Sequence, residues 1–284
     1  MLLLDTHVHL YQPQDLTHLL DAAHANFKQT ARYFGKEKPG FDGVLCLTQT
    51  ARCLSFEQIV DRICSSNMIS NSPSGWKPGI TKEKTSVAMS VVTETTNRSH
   101  IFLIKGQQIV SAERLEVLSI ANHEKITDGM SFNETLRAIL ESGGIPIIPW
   151  GVGKWFGRRG RIVKKSIQAN SRGGIFLGDN SVRPKIWNNV TLFTLARENG
   201  IDILNGSDSL CFSSEINKAG SFGVVFPDAH IDSCYPAAEI KQLLWNRSLP
   251  WKNYGVPESF MTFVINQIKL NLFRISNVRP GFCV

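Results

Sequence analysis

The chain has 284 residues, of which 42% are hydrophobic, and this length and composition suit a single α/β barrel domain with a sizeable core. No apolar run approaches the roughly 20 residues of a membrane helix, and Met1 to Leu4 is too short for a signal peptide, so we expect a soluble, cytoplasmic protein without a membrane partner. The net charge of +7 comes from residues that are dispersed except between Lys154 and Lys165, and the absence of a nucleic-acid reader motif argues against a nucleic-acid partner.

The first half of the chain begins with an apolar strand at Leu2 to Leu4. Apolar residues spaced by three and four then predict a helix over 15–33, and a short apolar run predicts a buried strand over 43–48. A capping box that begins at Ser55 starts the second helix. Residues 65–84 lose periodicity and gather Ser, Asn, Pro and Gly, which indicates a loop.

Three β-like runs follow closely, at 85–93, 100–110 and 115–120. Their connectors are too short for crossover helices, because a parallel return needs a dozen or more residues. At least part of this section must therefore be antiparallel. The fold class that we predict is a distorted (β/α) TIM-like barrel with some antiparallel strand content near residues 85–120.

A regular alternation of strands and helices returns after residue 130 and occupies the rest of the single predicted domain, residues 1–284. The predicted strands are 145–149, 174–177, 201–204 and 223–226. The predicted helices are 131–141, a basic helix ending near 168, 189–199, 237–245 and 258–274. We expect the C-terminal helices over 237–274 to pack on the outside of the barrel.

The strongest functional motif is Asp5-Thr-His7-Val-His9, directly after the first strand. Side chains two residues apart in an extended chain point to the same side. Two imidazoles about 7 Å apart along a strand end can converge on one divalent ion while a carboxylate supplies charge. The alternative is that His7 and His9 are ordinary polar residues at the end of a buried strand.

An apolar strand that ends in Asp-x-His-x-His resembles the first strand of two groups of barrel hydrolases, the amidohydrolase superfamily and the polymerase and histidinol phosphatase (PHP) family. The resemblance implies a divalent metal ion (Zn, Mn or Fe) that activates water. A second strand end, Gly206-Ser-Asp208, resembles the last metal-binding strand of amidohydrolase-like barrels. For Asp208 this implies a role as metal ligand or as general base.

The sequence departs from both families in its middle strands. Amidohydrolases carry further histidines at these strand ends, whereas here the corresponding strand ends in Ile-Pro-Trp150. Two possibilities remain: one ion held by His7, His9 and a carboxylate, or a barrel whose site has lost its metal.

Two further carboxylates are candidate ligands, because functional groups of barrels gather where strands meet the following loops. Glu116 lies at the start of an apolar run, where a carboxylate is costly unless it is paired or bound to metal, although it could be a surface residue of an edge strand. Asp179 follows Gly178, which lets the backbone turn sharply and expose the acid. The alternative for Asp179 is an Asx turn.

Lys154 lies in a basic, glycine-rich loop that could hold phosphate or carboxylate, and Arg183 lies within loop reach of Asp179. The spacing around Lys154 does not match a P-loop, and a solvated basic loop is the alternative.

The leading hypothesis is a metal-dependent hydrolase of PHP or amidohydrolase-like type that acts on a small anionic substrate, with phosphoesters favoured mildly over amides. The candidate metal ligands are Asp5, His7, His9, Glu116, Asp179 and Asp208. The candidate catalytic residues are Asp208, Lys154 and Arg183. The rival hypothesis is a non-catalytic barrel that binds an anionic metabolite or a protein partner. The sequence does not predict the oligomeric state.

Overall fold

The structure is a computed structural model that describes residues 1–35, 40–50, 53–65, 75–91, 99–171, 173–247 and 249–276. Its strands are β1 (Leu2–Val8), β2 (Asp42–Gln49), β3 (Trp76–Gly79), β4 (Ser86–Val91), β5 (His100–Val110), β6 (Glu116–Ile120), β7 (Ile145–Pro149), β8 (Phe176–Asn180), β9 (Ile203–Gly206), β10 (Gly223–Phe226) and β11 (Lys252–Tyr254). Its helices are α1 (Leu16–Tyr33), α2 (Phe56–Ser65), α3 (Phe132–Glu141), α4 (Gly157–Ala169), α5 (Thr191–Glu198), α6 (Pro236–Asn246) and α7 (Phe260–Ser276).

The strands form one sheet in the order β11-β10-β1-β2-β5-β6-β7-β8-β9, and β3 and β4 branch from β5. Four pairs are parallel: β1 with β2, β2 with β5, β7 with β8, and β8 with β9. β6 runs antiparallel to both of its neighbours, and β4 pairs antiparallel with β5. The predicted antiparallel content near residues 85–120 is therefore confirmed.

Side chains bring the two ends of this sheet together. Asn205 Nδ2 on β9 donates to Tyr254 O on β11 at 3.0 Å, and Asn253 Nδ2 donates to Ile203 O at 2.9 Å. Thr6 Oγ1 on β1 donates to Asn205 O at 3.0 Å. The described strands show no backbone ladder across this junction, which we call the seam. The sheet is thus a nearly closed, distorted barrel, as the sequence predicts.

The interior of the barrel is packed with apolar side chains from alternate strand positions, including Leu2, Phe102 and Ile145 near the starts of the parallel strands. Buried residues of α6, among them Ile240 and Leu244, join the same cluster. α6 therefore packs against the end of the barrel at which the parallel strands begin. The opposite end, where the parallel strands finish, stays open for polar groups.

Several local predictions are confirmed at the level of single contacts. Ser131 and Glu134 form a reciprocal capping box at the start of α3, and Ser55 and Gln58 do the same at α2. The loop predicted over 65–84 is wrong where β3 lies within it. Residues 66–74 of the predicted loop lie outside the described residues. Trp76 of β3 is fully buried, and its indole N–H donates to Asp21. β11 was not predicted.

None of the helices in the described part of the chain combines the length and the apolar character required to cross a bilayer.

Candidate metal centre

Three side chains converge at the open end of the barrel, close to the seam. His7 Nε2 lies 3.0 Å from His9 Nε2. Asp208 Oδ1 lies 3.3 Å from His7 Nε2 and 3.5 Å from His9 Nε2. Both histidines are buried, and Asp208 is partly buried. The motif at the start of the chain and the strand end near residue 208 therefore meet at one point, as the resemblance implies.

The backbone around Asp208 is built to bring it against β1. Asp208 has a φ of +46°, a left-handed conformation that aspartate tolerates better than most residues, and its N–H donates to His7 O at 2.7 Å. Gly206 permits the approach, because a Cβ there would lie 2.5 Å from the His7 Cβ and 2.6 Å from the His7 backbone nitrogen. A side chain at position 206 would push β9 away from the two histidines.

Asp5 is not part of this group, which corrects its predicted role as a ligand. Its Oδ1 accepts from Ser207 N at 2.8 Å, and its Oδ2 accepts from Gly220 N at 2.8 Å. The pairing of β1 with β2 is irregular between Asp5 and Val8, and such a bulge redirects the side chains that follow it. Burial raises the pKa of Asp5 to about 7, against the opposing effect of these backbone hydrogen bonds. Asp5 thus holds the seam together and positions the ligand strands.

The three converging atoms fit a single divalent ion. The potential ligand atoms of His7, His9 and Asp208 all lie within 4.8 Å of one another. An ion bound tetrahedrally at about 2.1 Å holds its ligands about 3.4 Å apart, close to the separations found here. Two neutral imidazoles and one carboxylate are also a ligand set that zinc and other first-row metals accept. This buried group could hold a metal ion.

The electrostatics of the group favour the ligand forms of its members. Burial lowers the pKa of His7 below its ordinary value, although Asp208 opposes this effect. Burial alone would raise the pKa of Asp208, but the neighbouring His7, His9 and Lys154 hold it well below its ordinary value. A neutral imidazole and an ionised carboxylate are the forms that bind metal.

Glu116 and Lys154 lie beside the group as an ion pair. Glu116 starts β6, and it pairs with Val110 at the end of β5 because β6 runs in the opposite direction. The start of β6 therefore lies at the same end of the barrel as the ends of the parallel strands. This places Glu116 near His7, where its charge opposes the lowering of the His7 pKa by burial. Its carboxylate is bound by Lys154 and does not belong to the converging group.

Asp179 and Arg183 neutralise each other, which corrects both of their predicted roles. Arg183 Nε and Nη2 donate to the two oxygens of Asp179 at 2.7 Å each, and Nη1 donates to Trp187 O at 2.7 Å. Both side chains are buried. The guanidinium takes both carboxylate oxygens and balances the charge of Asp179, which lies outside the converging group.

Two amide side chains, which sequence reasoning missed, complete the surroundings of the group. Gln108 Oε1 on β5 lies 3.1 Å from His7 Nε2. Asn180 Nδ2 at the end of β8 donates to Asp208 Oδ2 and to Trp150 O, both at 2.8 Å. Their only signal in the sequence is a polar side chain near the end of an apolar strand, which is too common to single them out.

Comparisons with known proteins add the fold and nothing about the site. No family model matches the chain, and no curated protein matches it. Among solved structures, the chain is similar to the crystal structure of PsfC from Pseudomonas syringae PB-5123, with 15% identity and a TM-score of 0.52 over 96% of this chain and 98% of that one. This likeness shows the fold alone.

Proposed function

We propose that the protein is a metal-dependent hydrolase of PHP or amidohydrolase-like type that acts on a small anionic substrate, with phosphoesters favoured. The observation that carries the proposal is the convergence of His7, His9 and Asp208 at the open end of the barrel. A divalent ion bound there would supply an activated water and would polarise the scissile bond. The remaining roles fall to side chains that the structure brings to the same place.

Asp208 suits the role of ligand better than that of general base. Its Oδ1 faces both histidines, and its Oδ2 already accepts a hydrogen bond from Asn180. A general base needs an oxygen that is within hydrogen-bond reach of the water and free to take its proton. Asn180 instead fixes the carboxylate in the orientation that directs Oδ1 towards the imidazoles.

Lys154 is the cation best placed to bind an anionic substrate. Its ammonium group acts on Asp208 across the site, and its side chain keeps 29% of its surface exposed. The ion pair with Glu116 holds the Lys154 ammonium near the three converging side chains. An ammonium has three donors, so Lys154 can keep this partner and still donate to a phosphate or carboxylate oxygen.

One observation favours the rival function, a barrel that binds an anion without catalysis. The middle strands present Gln108, Trp150 and Asn180 near the site, and none of these three supplies a second set of histidine ligands. The rival therefore predicts a protein without stoichiometric metal.

The metal content of the purified protein separates the two functions. We expect about one equivalent of zinc, manganese or iron by mass spectrometry, and near-complete loss in the His7→Ala/His9→Ala variant. The matched control is His18→Ala/His100→Ala, which removes two histidines remote from the group and should keep the metal. A parent protein without stoichiometric metal, even after reconstitution, would overturn the hydrolase proposal.

The role of Lys154 is tested with a panel of phosphomonoesters and N-acyl amino acids. For every substrate that the parent hydrolyses, Lys154→Ala should raise KM by about tenfold while metal content stays unchanged, because a partly exposed charge-assisted hydrogen bond contributes about 1.4 kcal/mol. Lys77→Ala, an exposed lysine on β3, serves as the charge-matched control for KM. Equal kinetics in Lys154→Ala and the parent would remove Lys154 from the substrate site.

A further inference from the structure

A cavity of about 400 Å³ lies between the beginnings of α4 and α5. Trp150 lines it, and the Trp150 carbonyl accepts a hydrogen bond from Asn180, which also donates to Asp208. We call it the aromatic cavity, defined by Trp150, Trp155, Phe156, Arg161, Lys164 and Trp187. Its volume lies within the range of about 300–1,000 Å³ that is typical of small-molecule sites.

Aromatic rings form the walls of the cavity. Trp187 lies 5.7 Å from Trp150 and 6.2 Å from Phe156, between ring centroids, and both contacts are edge-to-face. Phe156 nevertheless keeps 61% of its surface exposed, and Trp187 keeps 37%. Large aromatic side chains that stay exposed around a concavity favour a planar ligand that stacks on them and removes this surface from water.

Trp155 contributes a largely buried ring to the cavity lining. Only 7% of this residue is exposed, and its ring packs against Phe193 at 5.4 Å. Its indole N–H has no hydrogen-bond partner in the described part of the chain. A buried donor without a partner costs about 1–3 kcal/mol. The accessible area of this nitrogen is below 1 Å², so Trp155 contributes to the cavity through its ring and not through its N–H.

The charge around the cavity is positive. Arg161 and Lys164 lie one helical turn apart on α4, and neither forms an ion pair with a described residue. The first turn of α5, which contains Thr191, also lines the cavity and has neither a side-chain cap nor an acidic residue. No aspartate or glutamate lines the cavity in the described chain. These groups favour an anion.

We propose that the aromatic cavity binds a planar aromatic ring that carries a phosphate group. The ring stacks among Trp187, Phe156 and Trp150, and the phosphate lies against Arg161 and Lys164. This assignment goes beyond the proposed function, because no metal ion takes part in it and it applies equally to a catalytic and a non-catalytic barrel.

The first test measures binding of adenosine 5′-monophosphate to the EDTA-treated full-length protein by isothermal titration calorimetry. Ribose 5-phosphate lacks the ring, and adenosine lacks the phosphate. We expect adenosine 5′-monophosphate to bind at least about tenfold more tightly than either fragment, because each half contributes at least about 1.4 kcal/mol. Equal affinities, or no binding, would overturn the proposal.

Variants then assign the contacts. Trp187→Ala removes an exposed ring of the cavity, so it should weaken adenosine 5′-monophosphate several-fold and leave ribose 5-phosphate, which has no ring, unchanged. Parental affinity for adenosine 5′-monophosphate in this variant would overturn the assigned stacking. Arg161→Ala/Lys164→Ala should weaken adenosine 5′-monophosphate about tenfold without changing adenosine, whereas Arg137→Ala on α3 should change neither.

One more variant distinguishes binding in the aromatic cavity from binding at the metal centre. His7→Ala/His9→Ala should bind adenosine 5′-monophosphate as the parent does, since the cavity contains neither histidine. Loss of binding in this variant would assign the ligand to the metal centre and would refute the aromatic cavity as its site, whatever the outcome for hydrolysis.

Discussion

Asp179 and Asp208 end neighbouring parallel strands, and each follows a glycine by one or two residues, yet only Asp208 faces other potential metal ligands. The difference comes from the segment that follows each acid. Arg183 lies four residues after Asp179 and takes both of its oxygens. No cation follows Asp208 as closely, so its Oδ1 remains directed at His7 and His9. A carboxylate at a strand end is thus available to a metal only where the chain does not neutralise it.

The largest loss of stability is expected for Asp179→Asn. This change leaves the buried Arg183 guanidinium without its counter-ion, and breaking a buried pair in this way costs about 3–5 kcal/mol. The free energy of unfolding, measured by urea titration of the EDTA-treated protein, should fall by that amount.

Asp179→Asn/Arg183→Met is the matched control for that loss, because it removes both charges. Its stability should return to within about 1–2 kcal/mol of the parent, since a well-packed apolar replacement of a buried pair is often close to neutral. A single variant as stable as the parent would show that the pair is not important for the fold.

Asp208→Asn tests the other member of the comparison. Removing one of three protein ligands should weaken metal binding by at least about 100-fold, since a complete structural zinc site contributes about 10–16 kcal/mol across four ligands. Competition with a chromogenic chelator measures the change. Asp179→Asn should keep the parental metal affinity, and equal losses in both variants would contradict the distinction drawn between the two acids.

Gly206→Ala tests whether the close approach of β9 to β1 assembles the metal centre. The added methyl would overlap the Cβ and the backbone nitrogen of His7, and overpacking of this kind typically costs about 1–3 kcal/mol. We expect lower thermal stability together with weaker metal binding. The control is Gly79→Ala in β3, which pairs with β4 and should affect metal binding little. A Gly206→Ala protein with parental metal affinity would show that the close approach of β9 to β1 is not required for the metal centre.

The smallest change in the free energy of unfolding is expected at the pair of Glu57 and Lys105, which contrasts with the buried pair of Asp179 and Arg183. Burial alone would raise the pKa of Glu57, but the hydrogen bond from Lys105 holds it below its ordinary value. The pair therefore stabilises the fold above the unfolded pKa of about 4.5, and this contribution is lost as the pH falls through the lower folded pKa.

Glu57→Gln should cost less than about 1 kcal/mol near neutral pH, because exposed pairs contribute little. The difference from the parent should disappear in urea titrations at acidic pH. A constant difference at all pH values would assign the effect of the substitution to packing instead of charge.

The sequence predicted most of the fold because its strands and helices carry strong local signals. The capping box at Ser131 and the apolar run of β5 are examples, and the short connectors after β4 and β5 correctly indicated antiparallel pairing. β3 and β11 escaped prediction because they are short and polar on average. Their strand geometry depends on pairing with β4 and β10, which no local pattern contains.

The candidate site was predictable where a potential ligand directly follows an apolar strand. It was not predictable where distant hydrogen-bond partners decide whether a carboxylate is free to bind metal. His7 and His9 follow an apolar strand with a regular spacing, and Asp208 ends another one. The occupation of Asp5 by amides of residues 207 and 220 depends on contacts more than 200 positions distant in sequence. Glu116 is the first residue of its strand, and only the reversed direction of β6 explains its location.

Because the metal centre lies at the seam, an ion there would connect two strands that are distant in sequence. His7 belongs to the first strand and Asp208 follows the ninth. The described residues join these strands through side-chain hydrogen bonds and the backbone bond from Asp208 N–H to His7 O, without a ladder. An ion on these residues would act as a removable cross-link that encloses about 200 residues, and such a tie restricts the unfolded chain the more, the longer the loop it closes. Chelation should therefore loosen the barrel first along its weakest edge, so that hydrogen exchange in β1 and β9 would report on metal occupancy.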